Sequence, residues 1–195
     1  MPTLLLLNGA PGAGKSTLAR RWADTRPLSL VLDVDRIRAL LGAWQDDVLA
    51  AGRRARRLAV AAAWAQLEEG GDVVVPQLLV RRELVEELDG LATAAGARLV
   101  EVVLTASAED LADRLAHRVA TAAAGAAGAA GSRPDGADPW SALEDGPPTV
   151  ERLRVLADAV EALVATRPAT HRVASVPGDV DATLARLVAA VGTTG

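Results

Sequence analysis

Hydrophobic and polar positions along this 195-residue chain alternate between two rhythms. Short continuous apolar runs, the mark of strands buried on both faces of a parallel sheet, fall at Thr3 to Asn8, Leu28 to Leu32, Asp72 to Val75, Arg98 to Leu104 and His171 to Val176. Between them apolar residues recur every three or four positions, as helices require. Leu18 and Trp22 mark one helix, Arg36 to Leu41 a short second, and the Ala-rich stretch from about Gln45 to Glu69 a long third. Further helical stripes run over Arg81 to Ala95, over Ser107 to about Val119, from Val150 to Val164, and from Val180 to Val191. Arg26-Pro27, Gly70-Gly71, Pro168 and Pro177-Gly178 punctuate the pattern, and Asp179 stands where it can cap the last helix. Strand and helix alternate often enough to predict an α/β fold of three layers, a five-stranded parallel sheet with helices on both faces.

The rhythm stops at 120–149. Ala122 to Gly131 is almost wholly Ala and Gly, and Ser132 to Pro148 is rich in Pro, Gly and Asp. Each glycine costs a helix about 1 kcal/mol relative to alanine, so no stable helix is expected there. The expectation is a flexible lid or insert within a single domain spanning 1–195.

Composition narrows the function classes. The chain has no Phe, Tyr or Cys, four Trp, two His and a net charge of −4, with a pI of about 5.2. The core must be aliphatic, and Trp44 and Trp64 are expected within it. Without cysteine there is no disulfide or thiolate chemistry, and two histidines make a zinc site unexpected. Net acidity supplies no global field for nucleic acid, and a surface without Phe or Tyr is a poor base-stacking platform, so a nucleic-acid partner is possible but not favoured. No stretch reaches the roughly 18 apolar residues of a membrane span, and no basic residue precedes the N-terminal leucines. Neither anchor nor signal peptide is therefore expected, the cytoplasm is the expected compartment, and the oligomeric state is not legible.

The candidate chemistry begins with Gly9, Ala10, Pro11, Gly12, Ala13, Gly14, Lys15, Ser16 and Thr17. This run fits G-x-x-x-x-G-K-[ST] between a buried strand and a helix, where backbone N–H groups and the helix N-terminus cradle phosphates. Lys15, the chain's only lysine, is placed to reach the β/γ-phosphates, and Ser16 to ligate a magnesium ion. ATP and Mg2+ are accordingly the expected cofactors.

In parallel sheets ligands bind beyond the carboxyl ends of the strands, which singles out Asp33, Asp35, Gln77, Thr105, Ser107 and Ser175. If the chain stays extended, Asp33 and Asp35 point to one side, one as a base for an attacking hydroxyl and the other holding a magnesium-bound water. The plainer alternative makes Asp35 a helix cap and Asp33 a solvated strand end. Arg38, one helical turn on, is placed to orient substrate. The third strand ends in Pro76-Gln77 without the acid that many phosphate-loop proteins carry there, so Asp33 becomes the candidate for the metal and Gln77 falls to the substrate. Asp72 is at the wrong end of its strand. Arg114 and Arg118 either neutralise transferring phosphate or pair with Asp110 and Glu109. Arg53 and Arg57, in a run with Arg54 and Arg56, either bind a phosphate-bearing substrate or form a solvated helix face.

These motifs, Leu6 to Thr17, Val31 to Arg38 and Asp113 to Arg118, resemble phosphate-loop kinases of the chloramphenicol phosphotransferase-like, zeta-toxin-like and polynucleotide 5′-kinase type. The resemblance implies a P-loop NTPase fold with Asp35 as the base, Arg114 and Arg118 on the nucleotide phosphates, and Ser175, Val176 and Pro177 facing adenine. It implies transfer of the γ-phosphoryl group to a hydroxyl of a small-molecule or nucleoside-like acceptor. Two alternatives stand beside it: a polynucleotide 5′-hydroxyl kinase using Arg53 to Arg57 as its strand site, and a nucleotide-binding regulator that hydrolyses slowly.

Overall fold

In a computed structural model the described residues are 1–126 and 148–192. The chain alternates β1 (Thr3–Gly9), α1 (Lys15–Asp24), β2 (Leu30–Val31), α2 (Val34–Ala39), α3 (Val48–Glu68), β3 (Val73–Pro76), α4 (Glu83–Ala94), β4 (Arg98–Thr105), α5 (Ala108–Ala126), α6 (Val150–Ala165), β5 (His171–Ala174) and α7 (Val180–Gly192). All strand pairs are parallel, in the order β2-β3-β1-β4-β5. The five-stranded parallel α/β architecture is as the hydrophobic pattern predicts.

β1 is central and buried along its whole length because it pairs on both sides, Leu4 to Val73 in β3 and Thr3 to Arg98 in β4. Its alternate residues feed two cores. Leu5 and Leu7 pack with Trp22 of α1, Leu111 and Leu115 of α5, and Leu187 of α7. Leu4 and Leu6 pack with Ala63 and Leu67 of α3 and with Val85 and Leu88 of α4. Burying each leucine contributes roughly 1.5–3 kcal/mol, so the strand that carries the phosphate loop is the best-anchored element of the sheet.

Several boundaries differ from the sequence pattern, each for a local reason. β2 is shorter than Leu28 to Leu32: Leu28 has φ 61° and is exposed, while the Ser29 hydroxyl donates to the carbonyls of Ala23 and Arg26 and closes a turn there. α4 starts at Glu83 rather than Arg81. α5 runs beyond Val119 into the Ala/Gly stretch and takes in Gly125, against the expectation of no helix from Ala122 onward. Alanine has the highest helix propensity, and here it offsets an isolated glycine. The rest of the expected lid, 127–147 with Trp140, lies outside the described residues. Trp64 is about a third exposed and Trp44 stands beneath Arg38 at 5.0 Å, so neither belongs to the core. At the amino ends of the strands Asp72 accepts the Thr3 N–H at 2.7 Å and pairs with Arg26 at 3.3 Å, a structural role consistent with its end of the strand.

Candidate active site

The phosphate loop leaves β1 at Gly9 (φ 147°) and enters α1 through Gly14 (φ 91°), with Gly12 at φ 84° between them. These are conformations that favour glycine. A Cβ on Gly9 would lie 2.8 Å from the Leu104 carbonyl, and one on Gly12 the same distance from that of Leu111. The loop is thus seated against the end of β4 and the start of α5, with Ala10, Pro11 and Ala13 buried beneath it and Thr17 exposed on α1.

Lys15 folds back over this loop, donating to the carbonyls of Gly9 at 2.8 Å and Ala10 at 3.0 Å. Burial lowers its pKa to about 8, with Asp35 and Asp33 pulling upward and Arg118 pushing further down. A desolvated ammonium that rests only on carbonyls gains from an anion, which is what a phosphate supplies.

The two aspartates depart from the expected extended geometry. Asp33 is the N-cap of α2: its Oδ1 accepts the N–H groups of Asp35 at 3.1 Å and Arg36 at 3.4 Å. Asp35 therefore lies within the first helical turn. The alternative of Asp35 as the cap and Asp33 as a solvated end is also overturned, because Asp33 is the cap and its other oxygen, Oδ2, accepts from the Ser16 hydroxyl at 3.0 Å. That contact joins the end of β2 to the phosphate loop across β3. Asp35 is paired with Arg38 at 3.2 Å, and burial raises its pKa above the ordinary carboxylate value despite that cation. Arg38 stacks on Trp44, and its Nε is buried without a partner among the described residues.

On the other flank Arg114 does not pair with Asp110. Its Nη1 donates to the Ser175 hydroxyl at 2.8 Å and reaches the Gly12 carbonyl at a long 3.5 Å, while its Nη2 is buried with no partner among the described residues. Two residues assigned to the nucleotide, 61 positions apart, are thus in direct contact. Arg118 lies close enough to depress Lys15. Pro177 is exposed in the following turn, and Ser107 caps α5 through the Asp110 N–H at 3.0 Å. Arg53 and Arg57 are exposed on α3. Arg57 borders an open groove of about 410 Å³ with Trp64, Glu87 and Leu91.

Gln77 immediately follows β3, where its N–H continues the ladder to the Leu7 carbonyl at 3.1 Å and its Oε1 is buried without a donor among the described residues. A residue that the pattern did not single out controls its surroundings. The buried Asn8 side chain accepts the N–H groups of Gly9 at 2.7 Å and Leu79 at 2.9 Å, and donates to the Leu79 carbonyl at 3.0 Å. A polar residue closing an apolar strand was the available signal, but its partner lies 71 positions away.

The residues present fit a magnesium-bound nucleoside triphosphate. The loop offers backbone N–H groups, Ser16 and Asp33 offer hard oxygen ligands, and the free Nη2 of Arg114 offers a buried donor for an anion. Fold and loop together define a phosphate-loop nucleotide-binding domain of the kind that kinases share. The chain belongs to the AAA domain family, whose model matches residues 4–130. No curated protein matches the sequence. Among solved structures it is similar to a candidate kinase from Chloroflexus aurantiacus, at 16% identity and TM-score 0.63 over 100% of this chain and 98% of the other. It is also similar to a tunicamycin resistance protein from Deinococcus radiodurans, at 15% identity and TM-score 0.60 over 98% and 96%. A gluconokinase from Sinorhizobium meliloti aligns at 18% identity and TM-score 0.57 over 98% and 93%. At such identities the likeness carries the fold. Among the described residues no helix is long and apolar enough to cross a membrane.

Proposed function

We propose that the protein is an ATP- and magnesium-dependent phosphotransferase acting on a hydroxyl of a small-molecule acceptor. The observation that carries this reading is the convergence of Lys15, the Ser16–Asp33 contact and the desolvated Asp35 at one end of the sheet. Bound magnesium-ATP supplies the electrophilic γ-phosphoryl group. Lys15 and the loop N–H groups neutralise charge on the phosphates, and Ser16 with Asp33 holds the metal in place of an acid after β3. Asp35, with its pKa raised and Arg38 fixing its orientation, accepts the proton of the attacking hydroxyl. Arg114 and Arg118 steady the phosphoryl group from α5.

The test is acceptor-dependent ADP release by the purified protein against a panel of alcohols, with Asp35→Asn as the comparison. Transfer should fall about 100- to 10,000-fold in the variant while ATP affinity by calorimetry is little changed. Full transfer by Asp35→Asn would remove it as the base, and slow ADP release indifferent to every acceptor would instead favour a nucleotide-binding regulator.

A further inference from the structure

Gln77 occupies the position after β3 where an acid would serve the metal, yet Asp33 already holds Ser16 from the neighbouring strand. The glutamine is therefore free for another task, and its surroundings hold it rigidly. Its N–H is fixed to β1 at the Leu7 carbonyl, and two residues later Leu79 is bonded through both its N–H and its carbonyl to the buried Asn8 amide. The same amide accepts from Gly9, so one side chain sets the spacing between the phosphate loop and the segment Gln77 to Leu79. Within this rigid segment the Gln77 Oε1 is buried without a donor among the described residues. An unpaired buried carbonyl costs about 1–3 kcal/mol, and a side chain kept only for structure would have its partner in the fold.

A second unmet group has the opposite polarity. Arg38 Nε is a buried donor without an acceptor, while the charge of that guanidinium already faces Asp35. An anionic acceptor group would satisfy the Arg38 donor alone and would meet the carboxylates of Asp33 and Asp35. Neutral hydroxyl groups both donate and accept, so a molecule carrying several of them at the carboxyl ends of the adjacent parallel strands β2 and β3 would satisfy both atoms.

We propose that Gln77 is a specificity-determining residue whose carbonyl oxygen takes a hydrogen bond from a second donor on the acceptor, beside the hydroxyl served by Asp35. The acceptor class is then a neutral polyol rather than a simple alcohol. This rests on the phosphotransferase reading above, and Asn8 is the positioning residue that holds Gln77 at its distance from the nucleotide.

The experiment compares Gln77→Met, which keeps the length and removes the polar head, with Gln77→Glu, which keeps an accepting oxygen. Ribitol, D-ribose and glycerol are set against 1-propanol, each by acceptor-dependent ADP release and by calorimetric binding in the presence of a non-hydrolysable ATP analogue. The wild type should prefer the first three. Gln77→Met should raise their KM by about 10- to 100-fold, with the ATP KM and magnesium requirement unchanged, and Gln77→Glu should retain most of the preference. An unchanged ratio of polyol to propanol in Gln77→Met overturns the proposal, as does a shift confined to the magnesium requirement or to thermal stability. Polyol binding that depends on Gln77 without any transfer would sink the phosphotransferase reading and leave the role of Gln77 standing. Transfer unaffected by Gln77→Met would do the reverse, and a wild type that neither binds nor phosphorylates any of the panel overturns both.

Discussion

Two acid–arginine pairs, one anchored on β4 and the other within α2, show how differently one chemistry can be used. Glu101, midway along β4, and Arg167, in the turn from α6 to β5, are 12% and 16% exposed. The Arg167 Nε donates to both carboxylate oxygens, at 2.8 and 2.6 Å, Nη2 adds a further bond to Oε1, and Thr170 completes the set at 3.4 Å. Hydrogen bonding to Glu101 raises the Arg167 pKa above its usual value. Asp35 and Arg38, at 35% and 17% exposure, touch through a single contact of 3.2 Å, leave Arg38 Nε unpartnered, and leave Asp35 with a raised pKa. The first pair is saturated and fixes the α6–β5 corner to the sheet. The second keeps hydrogen-bonding capacity for something outside the fold, at a cost in stability that binding sites commonly carry.

Removing the acid from the open pair should give the largest effect. Asp35→Asn is expected to lower acceptor-dependent turnover about 100- to 10,000-fold, the range of a lost general base, with no loss of thermal stability. In the saturated pair, Arg167→Met should have the opposite profile. It strands a buried carboxylate and should destabilise the protein by roughly 3 kcal/mol in urea titrations with kinetic constants intact, while Glu101→Leu combined with Arg167→Met recovers most of the loss. Comparable stability losses from Asp35→Asn and Arg167→Met would erase the distinction.

Lys15 is open in the same sense, and its ionisation gives the next effect. Its pKa in the ligand-free fold, about 8, lies below the ordinary 10.5, so between these values the unfolded chain binds more protons and stability rises with pH. Nucleotide binding requires the charged form. Affinity should therefore be flat below about pH 8 and weaken by up to about tenfold per unit above it, with proton uptake visible in calorimetry as a dependence on buffer ionisation enthalpy. A pH-independent affinity from 7 to 9.5 would show that Lys15 remains charged in the ligand-free loop.

The saturated and open regions were not equally legible beforehand. β1, the phosphate loop and α1 are legible because an uninterrupted leucine run, closely spaced glycines and one lysine all point to the same local structure. The sequence marks Asp33 and Asp35 as chemical, but strand alternation does not extend past Leu32 to set their geometry, because an aspartate directly before the Val-Asp-Arg-Ile-Arg segment acts as an N-cap. The Trp44 and Trp64 positions followed from neighbours rather than composition, with Arg38 covering one and the arginine-bearing face of α3 carrying the other. The Asn8–Leu79 and Arg114–Ser175 contacts join residues 71 and 61 positions apart, a separation at which no local pattern records the partner.

The smallest expected effect tests whether Arg38 acts on Asp35 or merely packs near it. Burial is the largest influence on the Asp35 pKa and raises it, while the Arg38 charge is the next and lowers it. Arg38→Met removes the opposing influence, so the carboxyl should become still harder to ionise. Turnover requires the ionised form and falls as pH drops through this pKa, so the acidic limb of the kcat profile should move to higher pH. The corresponding Arg167→Met change should leave that limb in place, because Glu101 takes no part in proton transfer. A limb that stays fixed in Arg38→Met while kcat falls uniformly would assign the arginine to orienting Asp35 rather than tuning its ionisation. A limb that moves to lower pH would mean that a group other than Asp35 is being titrated.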